Sequence, residues 1–153
     1  MGSSHPAAST ATVARVSTHR LSTFLLVEDD EPVCELLGRM LQSSGRRILT
    51  TPDEQGALEH ACATHIDLLL TDLDSSSALC VAERLRVLQP QLRVLYICAW
   101  SDDVLADQVK DADVVLKPFT LAELEAAVTR ALDRPSTPHS AAAGGGALWR
   151  PTP

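Results

Sequence analysis

Two hydrophobic periods alternate between residues 21 and 134 of the chain. "TFLLVE" (23–28) is a short, nearly unbroken apolar run, which predicts a strand buried on both faces. From Pro32 the pattern changes, and Val33, Leu36, Leu37, Met40 and Leu41 form one helical stripe. Pro32 suits a first helical turn, where the missing N–H costs nothing, and Gly45 ends the helix. "RRILT" (46–50) predicts a second strand. Thr51-Pro52-Asp53-Glu54 reads as a capping box with proline at the first helical position, opening a helix with Leu58, Ala61, Cys62 and His65 inward. "IDLLLTDL" (66–73) predicts the third strand. A helix near Ser76–Leu88 follows, with Leu79, Ala82, Leu85 and Leu88 inward and Pro90 closing it. "LRVLYICA" (92–99) predicts the fourth strand, and Ser101 caps a short fourth helix with Asp102 and Asp103 at its positive end. "ADVVLK" (112–117) predicts the fifth. Thr120-x-x-Glu123 is a further capping box, before a stripe of Leu121, Leu124, Val128 and Leu132. Five strand–helix units with short connections predict an α/β fold, a doubly wound five-stranded parallel sheet covered by helices on both faces.

The flanks carry neither period. Residues 1–20 are rich in Ser, Thr, Ala and Pro, and 135–153, "PSTPHSAAAGGGALWRPTP", are low-complexity. Neither buries enough apolar area to offset its ordering entropy, which predicts two disordered tails around one domain at 21–134. Aromatic residues make up only 3% of the 153, so aliphatic side chains must fill the core. The net charge is −7, and the tails hold none of the 20 acids, which leaves −10 on residues 21–134. That balance argues against nucleic acid or an anionic membrane as partner. No apolar run approaches the roughly 18 residues of a membrane span, and the N-terminus lacks the apolar core of a signal peptide, so the expected location is cytoplasmic. Cys34, Cys62, Cys80 and Cys98 lie far apart in apolar segments without a C-x-x-C, which predicts buried free thiols in a reducing compartment. His60 and His65, five apart, fall on different helix faces and make no zinc pair.

The chemistry concentrates at the predicted strand ends. In an open parallel sheet, ligands bind beyond the carboxyl ends of the strands, where the strand order reverses. Those ends carry Glu28, Asp29 and Asp30 on strand one, Asp72 and then Asp74 on strand three, Cys98 on strand four, and Lys117-Pro118 on strand five. "FLLVEDDEP" (24–32) drives a strand into the core and places four acids at its tip. Crowded carboxylates repel, and some must hold protons unless a cation joins them. Asp30 and Glu31 have a simpler role, starting the first helix at the favourable end of its dipole.

"LLVEDDEP", "DLLLTD", "LRVLYICAW" and "LKPF", in this order and at these strand ends, resemble the response-regulator receiver domain, the phosphoacceptor module of two-component signalling. The resemblance covers about residues 21–134. It implies a (βα)5 flavodoxin-like sheet with strand order 2-1-3-4-5. It also implies that Asp72 accepts a phosphoryl group in a Mg2+-dependent reaction. Glu28 and Asp29 would then hold Mg2+, directly or through water, together with Asp72 and with Asp74, whose position supplies a backbone carbonyl. Lys117 would pair with the acceptor carboxylate and afterwards with the phosphoryl oxygens, and the Lys117–Pro118 bond is a candidate cis peptide. The implied partners are a histidine kinase or phosphotransfer protein and an unknown downstream protein. With no DNA-binding segment after residue 134, the expected form is a stand-alone receiver, or one separated from its usual neighbours, a phosphoacceptor that performs its own phosphotransfer and dephosphorylation without being an enzyme on other substrates.

These residue types suit that chemistry. A carboxylate is a weak nucleophile that can form an acyl phosphate, but its attack brings negative charge against negative charge. A divalent ion and a lysine offset this, and Mg2+ accepts one or two carboxylates, a carbonyl and waters at about 2.1 Å.

Three positions depart from the receiver pattern. Cys98 stands where the family places Ser or Thr, and a thiol is the weaker donor to a phosphoryl group. Val114 stands where the family usually has an aromatic switch residue. The loop "LDSSSALC" after Asp72 is shorter than is common and lacks Pro–Gly character. Trp100, two past Cys98, could shield the acyl phosphate or cover the site. Two other readings follow. One is a receiver-like interaction module that signals without phosphate. The other is a haloacid-dehalogenase-like phosphatase, since "DLDSS" fits D-x-D-x-S/T with Asp72 as nucleophile and Asp74 as acid/base; that family, however, carries its motif on the first strand.

Overall fold

The computed structural model describes residues 21–42, 45–75, 77–99, 109 and 112–135. The predicted fourth helix with its Ser101 cap, Trp100 and most of the two tails lie outside them. The described elements are β1 (Ser22–Val27), α1 (Glu31–Leu41), β2 (Arg46–Thr51), α2 (Glu54–Ala63), β3 (Leu68–Asp72), α3 (Ala78–Leu88), β4 (Arg93–Cys98), β5 (Asp113–Leu116) and α4 (Leu121–Asp133). The strands are parallel and ordered β2-β1-β3-β4-β5, as expected. From β1, next to the edge of the sheet, the chain steps outward to β2, then crosses to β3 on the other side of β1. The order therefore reverses between β1 and β3, which opens a crevice above their carboxyl ends.

Alternation along the strands divides the core in two. Leu25, Val27 and Leu69 join α2 and α3 on one face through Ala57, Ala61, Val81, Ala82 and Leu85. Phe24, Leu26, Leu68, Leu70, Leu95 and Ile97 meet α1 and α4 on the other, through Leu37, Leu41, Leu124 and Val128. Among the described residues, the largest side chains under 2% exposed are leucines and isoleucines apart from Phe24, so the core is aliphatic as composition required. Each such side chain contributes about 1.5–3 kcal/mol by burial. This core holds the strand ends in place.

Several local expectations shift by a residue or two. The cap of α2 is Asp53, whose Oδ1 accepts from Gly56 N–H at 2.8 Å, rather than Thr51. Thr51 pairs with Val27 and ends β2, with its carbonyl accepting from Glu28 N–H at 3.1 Å. A Cβ on residue 56 would lie 2.0 Å from Thr51 Oγ1, so glycine permits the helix to start against the strand end. The inward face of α2 is then Ala57 and Ala61, while Cys62 and His65 are exposed. Alanines likewise take inner positions on α3 (Ala78, Ala82) and α4 (Ala127, Ala131). Leu36, Leu88 and Leu121, predicted inward, are 58%, 47% and 51% exposed. Large apolar residues draw the eye in a sequence, but small ones let a helix lie close to a sheet.

The expectation of four buried thiols is corrected too: Cys98 is buried, Cys34 is half-buried, and Cys62 and Cys80 are exposed, because their helices turn alanine and valine neighbours inward. Other local readings hold. Asp30 caps α1, its carboxylate accepting from Val33 N–H at 3.0 Å. Both bonds of the Thr120–Glu123 capping box form. Gly45 does not end the first helix as expected: α1 stops at Leu41 with Gln42 as its cap, and Gly45, at φ +92°, stands just before β2. No helix among the described residues is long and apolar enough to cross a membrane.

Candidate functional site

The register sets the rim of the sheet. Val27 pairs with Thr71, Asp72 with Ile97, and Cys98 with Leu116, so Glu28, Asp72, Cys98 and Lys117 all emerge at the carboxyl edge. Backbone bonds lace this edge beyond the ladders: Leu73 N–H donates to Ile97 O at 2.7 Å and Lys117 N–H to Cys98 O at 2.8 Å. The Lys117–Pro118 bond is cis, as the resemblance implied.

Asp72 closes β3 with both carboxylate oxygens engaged. Oδ2 accepts from Lys117 Nζ, and Oδ1 accepts from the Asp74 backbone N–H at 2.8 Å. Burial alone would lower the Lys117 ammonium. The hydrogen bond it donates to Asp72 and the charges of Asp72, Asp74 and Glu28 outweigh it and hold the group above its usual value. The lysine therefore stays cationic at neutral pH.

Glu28 is nearly enclosed, and its Oε1 accepts from Asp30 N–H at 3.0 Å. Its carboxyl is pushed up, chiefly by burial and further by the Asp72 and Asp29 charges, against the Asp30 bond and Lys117. Asp29 and Asp30 are exposed, and Asp30 serves the helix. An open cleft of about 700 Å3 borders this acidic tip between α1 and β2, lined by Glu28, Asp29, Cys34 and Thr51 among others.

The Asp74 side chain takes a course that the sequence did not announce. It arches from the β3 loop to the end of β4. There Oδ2 accepts from Ala99 N–H at 3.1 Å and Oδ1 lies 3.9 Å from Cys98 Sγ. Oδ2 is also 3.8 Å from Lys117 Nζ. Ala99 was absent from the sequence-based set, because a backbone donor leaves no residue-type signal. Val114 lies one strand over, half-buried, paired with Tyr96, on the same sheet face as Cys98. Glu28, Asp29, Asp72, Asp74 and Lys117 thus meet in one electrostatic cluster at the rim. Among the described residues, no three His, Cys, Asp or Glu side chains are gathered closely enough to hold a metal on their own.

A family model described as the response regulator receiver domain matches residues 24–129, more than half of the chain. The chain belongs to the response-regulator receiver family. Transcriptional regulatory protein PrrA of Mycobacterium leprae is 35% identical over 115 residues, 72% of this chain and 49% of that protein. The chain thus spans about half the length of this relative. The crystal structure of response regulator protein TrrA from Thermotoga maritima, in complex with Mg2+-BeF, is 26% identical with a TM-score of 0.63, covering 72% of this chain and 99% of that one. Chemotaxis protein CheY4 of Vibrio cholerae, 18% identical, has a TM-score of 0.67 over 73% of this chain and 99% of that one, which shows the shared fold.

Proposed function

We propose that the chain is a receiver that takes a phosphoryl group on Asp72, with Mg2+ bound, from a histidine kinase or phosphotransfer protein. It then signals by contact with a downstream protein. The observation that carries this reading is the Lys117 ammonium bonded to the Asp72 carboxylate where β1, β3, β4 and β5 end together. In the transfer, an Asp72 carboxylate oxygen attacks phosphorus and forms the O–P bond. The bond from phosphorus to the donor imidazole nitrogen breaks, its electron pair stays on that nitrogen, and Lys117 follows the charge onto the phosphoryl oxygens.

The residues fit a hydrated divalent ion. The Asp74 side chain is turned toward β4, so the ion would be held by Asp29, by the lone pairs that Asp72 keeps beside its bonds to Lys117 and Asp74 N–H, by a backbone carbonyl at Asp74 and by water, with Glu28 binding directly or through water. Mg2+ asks for about that few protein ligands, and when bound it neutralises the charge between acceptor and phosphoryl oxygens. The chain acts in this reading as a phosphoacceptor in the cytoplasm and not as an enzyme on other substrates. Its net −10 over residues 21–134 fits protein partners better than nucleic acid or membrane. PrrA is named a transcriptional regulatory protein, and this chain matches about half of it, so the same receiver could serve a longer regulator.

A second reading, signalling by contact without phosphate, draws on Cys98 and Val114, which supply a weak donor and no aromatic at the positions that usually report phosphorylation. The family match weighs against the phosphatase reading. Treatment with acetyl phosphate and Mg2+, followed by intact mass, separates the first two. A single phosphoryl adduct that Asp72→Asn and chelation both remove is expected. An unlabelled wild-type protein would leave the phosphate-free reading in its place.

A further inference from the structure

The donors that a phosphoryl group on Asp72 would need already have an occupant. Lys117 Nζ is bonded to the Asp72 carboxylate, and the Ala99 N–H and the Cys98 thiol stand at the end of the neighbouring β4, on the far side of β3 from the acidic tip of β1. The Asp74 carboxylate faces all three, accepting from Ala99 N–H at 3.1 Å, 3.9 Å from Cys98 Sγ and 3.8 Å from Lys117 Nζ. Two turns hold it there. Asp74 N–H is tied back to Asp72 Oδ1 at 2.8 Å, and Ser75 N–H donates to Asp72 O at 3.2 Å. With its backbone folded over the strand end, the short side chain spans from β3 to β4. Its charge resembles that of a phosphoryl oxygen, and like charges cannot share the same donors.

We infer that the Asp74 carboxylate is a built-in occupant of the phosphoryl cradle, lying on Ala99 N–H and beside Lys117 and Cys98, and that it swings out before the phosphoryl group enters. This rests on the acceptor reading of Asp72. The backbone carbonyl of Asp74 is untouched by side-chain replacement, so the contribution assigned to the metal is separable from the obstruction. Asp74 is a gating residue and takes no part in bond making. The gate also gives a partner something to act on: a protein that draws Asp74 outward frees the cradle.

Two measurements test it. The first is the rate of Asp72 labelling by acetyl phosphate at saturating Mg2+, read by intact mass; the Asp72 oxygen bonds to phosphorus as acetate leaves with the electron pair of the broken P–O bond. Asp74→Ala is expected to label at least about fivefold faster than wild type. Asp74→Asn, which keeps an acceptor for Ala99 N–H but loses the charge, should fall between. The second uses inorganic phosphate, followed by the shift of the Ala99 amide, on protein that cannot be labelled at Asp72. Asp72→Asn/Asp74→Ala should bind phosphate at least about fivefold more tightly than Asp72→Asn alone. Labelling that is equal or slower in Asp74→Ala overturns the inference and leaves the acceptor reading standing. No labelling of any variant, with phosphate binding still tightened, removes the acceptor reading and leaves the occupied cradle. No labelling together with unchanged phosphate binding removes both.

Discussion

The rim of the sheet has two halves that treat charge in opposite ways. On the β3–β4–β5 side nearly every charged group has a counterpart: Asp72 bonds Lys117, and Asp74 reaches Ala99 N–H and lies near Lys117. On the β1 side, Glu28 and Asp29 stand together, and Glu28 accepts from the Asp30 backbone N–H. The first half is already satisfied with an internal anion in place. The second keeps an excess of negative charge that a proton on Glu28 or a cation would relieve. Phosphoryl transfer asks for both a cation and an anion to enter. In the proposed transfer the cation would meet an excess of acid, whereas the anion would have to displace the Asp74 carboxylate.

Breaking the satisfied half has the largest expected effect. Asp72→Asn should abolish acetyl phosphate labelling, with circular dichroism unchanged, because the residue lies at the end of β3 and outside the packed core. Lys117→Ala should slow labelling by about a hundredfold at saturating Mg2+, since the positioned cation facing the developing charge is lost. A drop of less than about threefold would mean that the pair with Asp72 is only structural.

Changes on the acidic half should be smaller and of the opposite kind. Glu28→Gln keeps an oxygen for Asp30 N–H but removes a nearly buried charge beside Asp29 and Asp72. The metal-free variant should melt a few degrees above wild type, and Mg2+ should raise its melting temperature less. The sign of the pH dependence follows. The folded protein favours the protonated form of Glu28, so that group's contribution is present below the ordinary carboxylate value and is lost as pH rises through the raised one. The advantage of Glu28→Gln should accordingly be smallest in acid and grow toward neutral pH. The smallest effect separates a neighbouring acid from the site. Asp30→Ala should cost about 1 kcal/mol in urea unfolding through loss of the α1 cap and leave the labelling rate within twofold.

Much of this was legible in the chain. Runs such as Phe24–Val27 and Leu68–Thr71 carry their strand assignment because a strand buried on both faces has no polar alternation to confuse it. The Thr120–Glu123 box reads correctly because both of its bonds lie within one turn. Less legible was the rotation of the helices. The stripes of large residues predicted Leu36, Leu88 and Leu121 inward, while the packed faces use Ala57, Ala82 and Ala127, and alanine looks alike in a core and on a surface. The cap of α2 was misplaced for a related reason: Thr51 and Asp53 are both good caps, and only the pairing of Thr51 with Val27 in the sheet excludes the first.

Periodicity and the positions of the acids and the lysine therefore carried the strands and the membership of the rim, because burial and turn chemistry act over a few neighbouring residues, while the strand order came with the family resemblance. The destination of the Asp74 carboxylate lay beyond that reach. Its partner at Ala99 is 25 positions away and is a backbone N–H, identical in every residue but proline. That contact exists only because β3 and β4 lie side by side, with Leu73 tied to Ile97 at the end of the ladder. Adjacency in the sheet, a property of the packed molecule, decides whether the anion site stands open or filled.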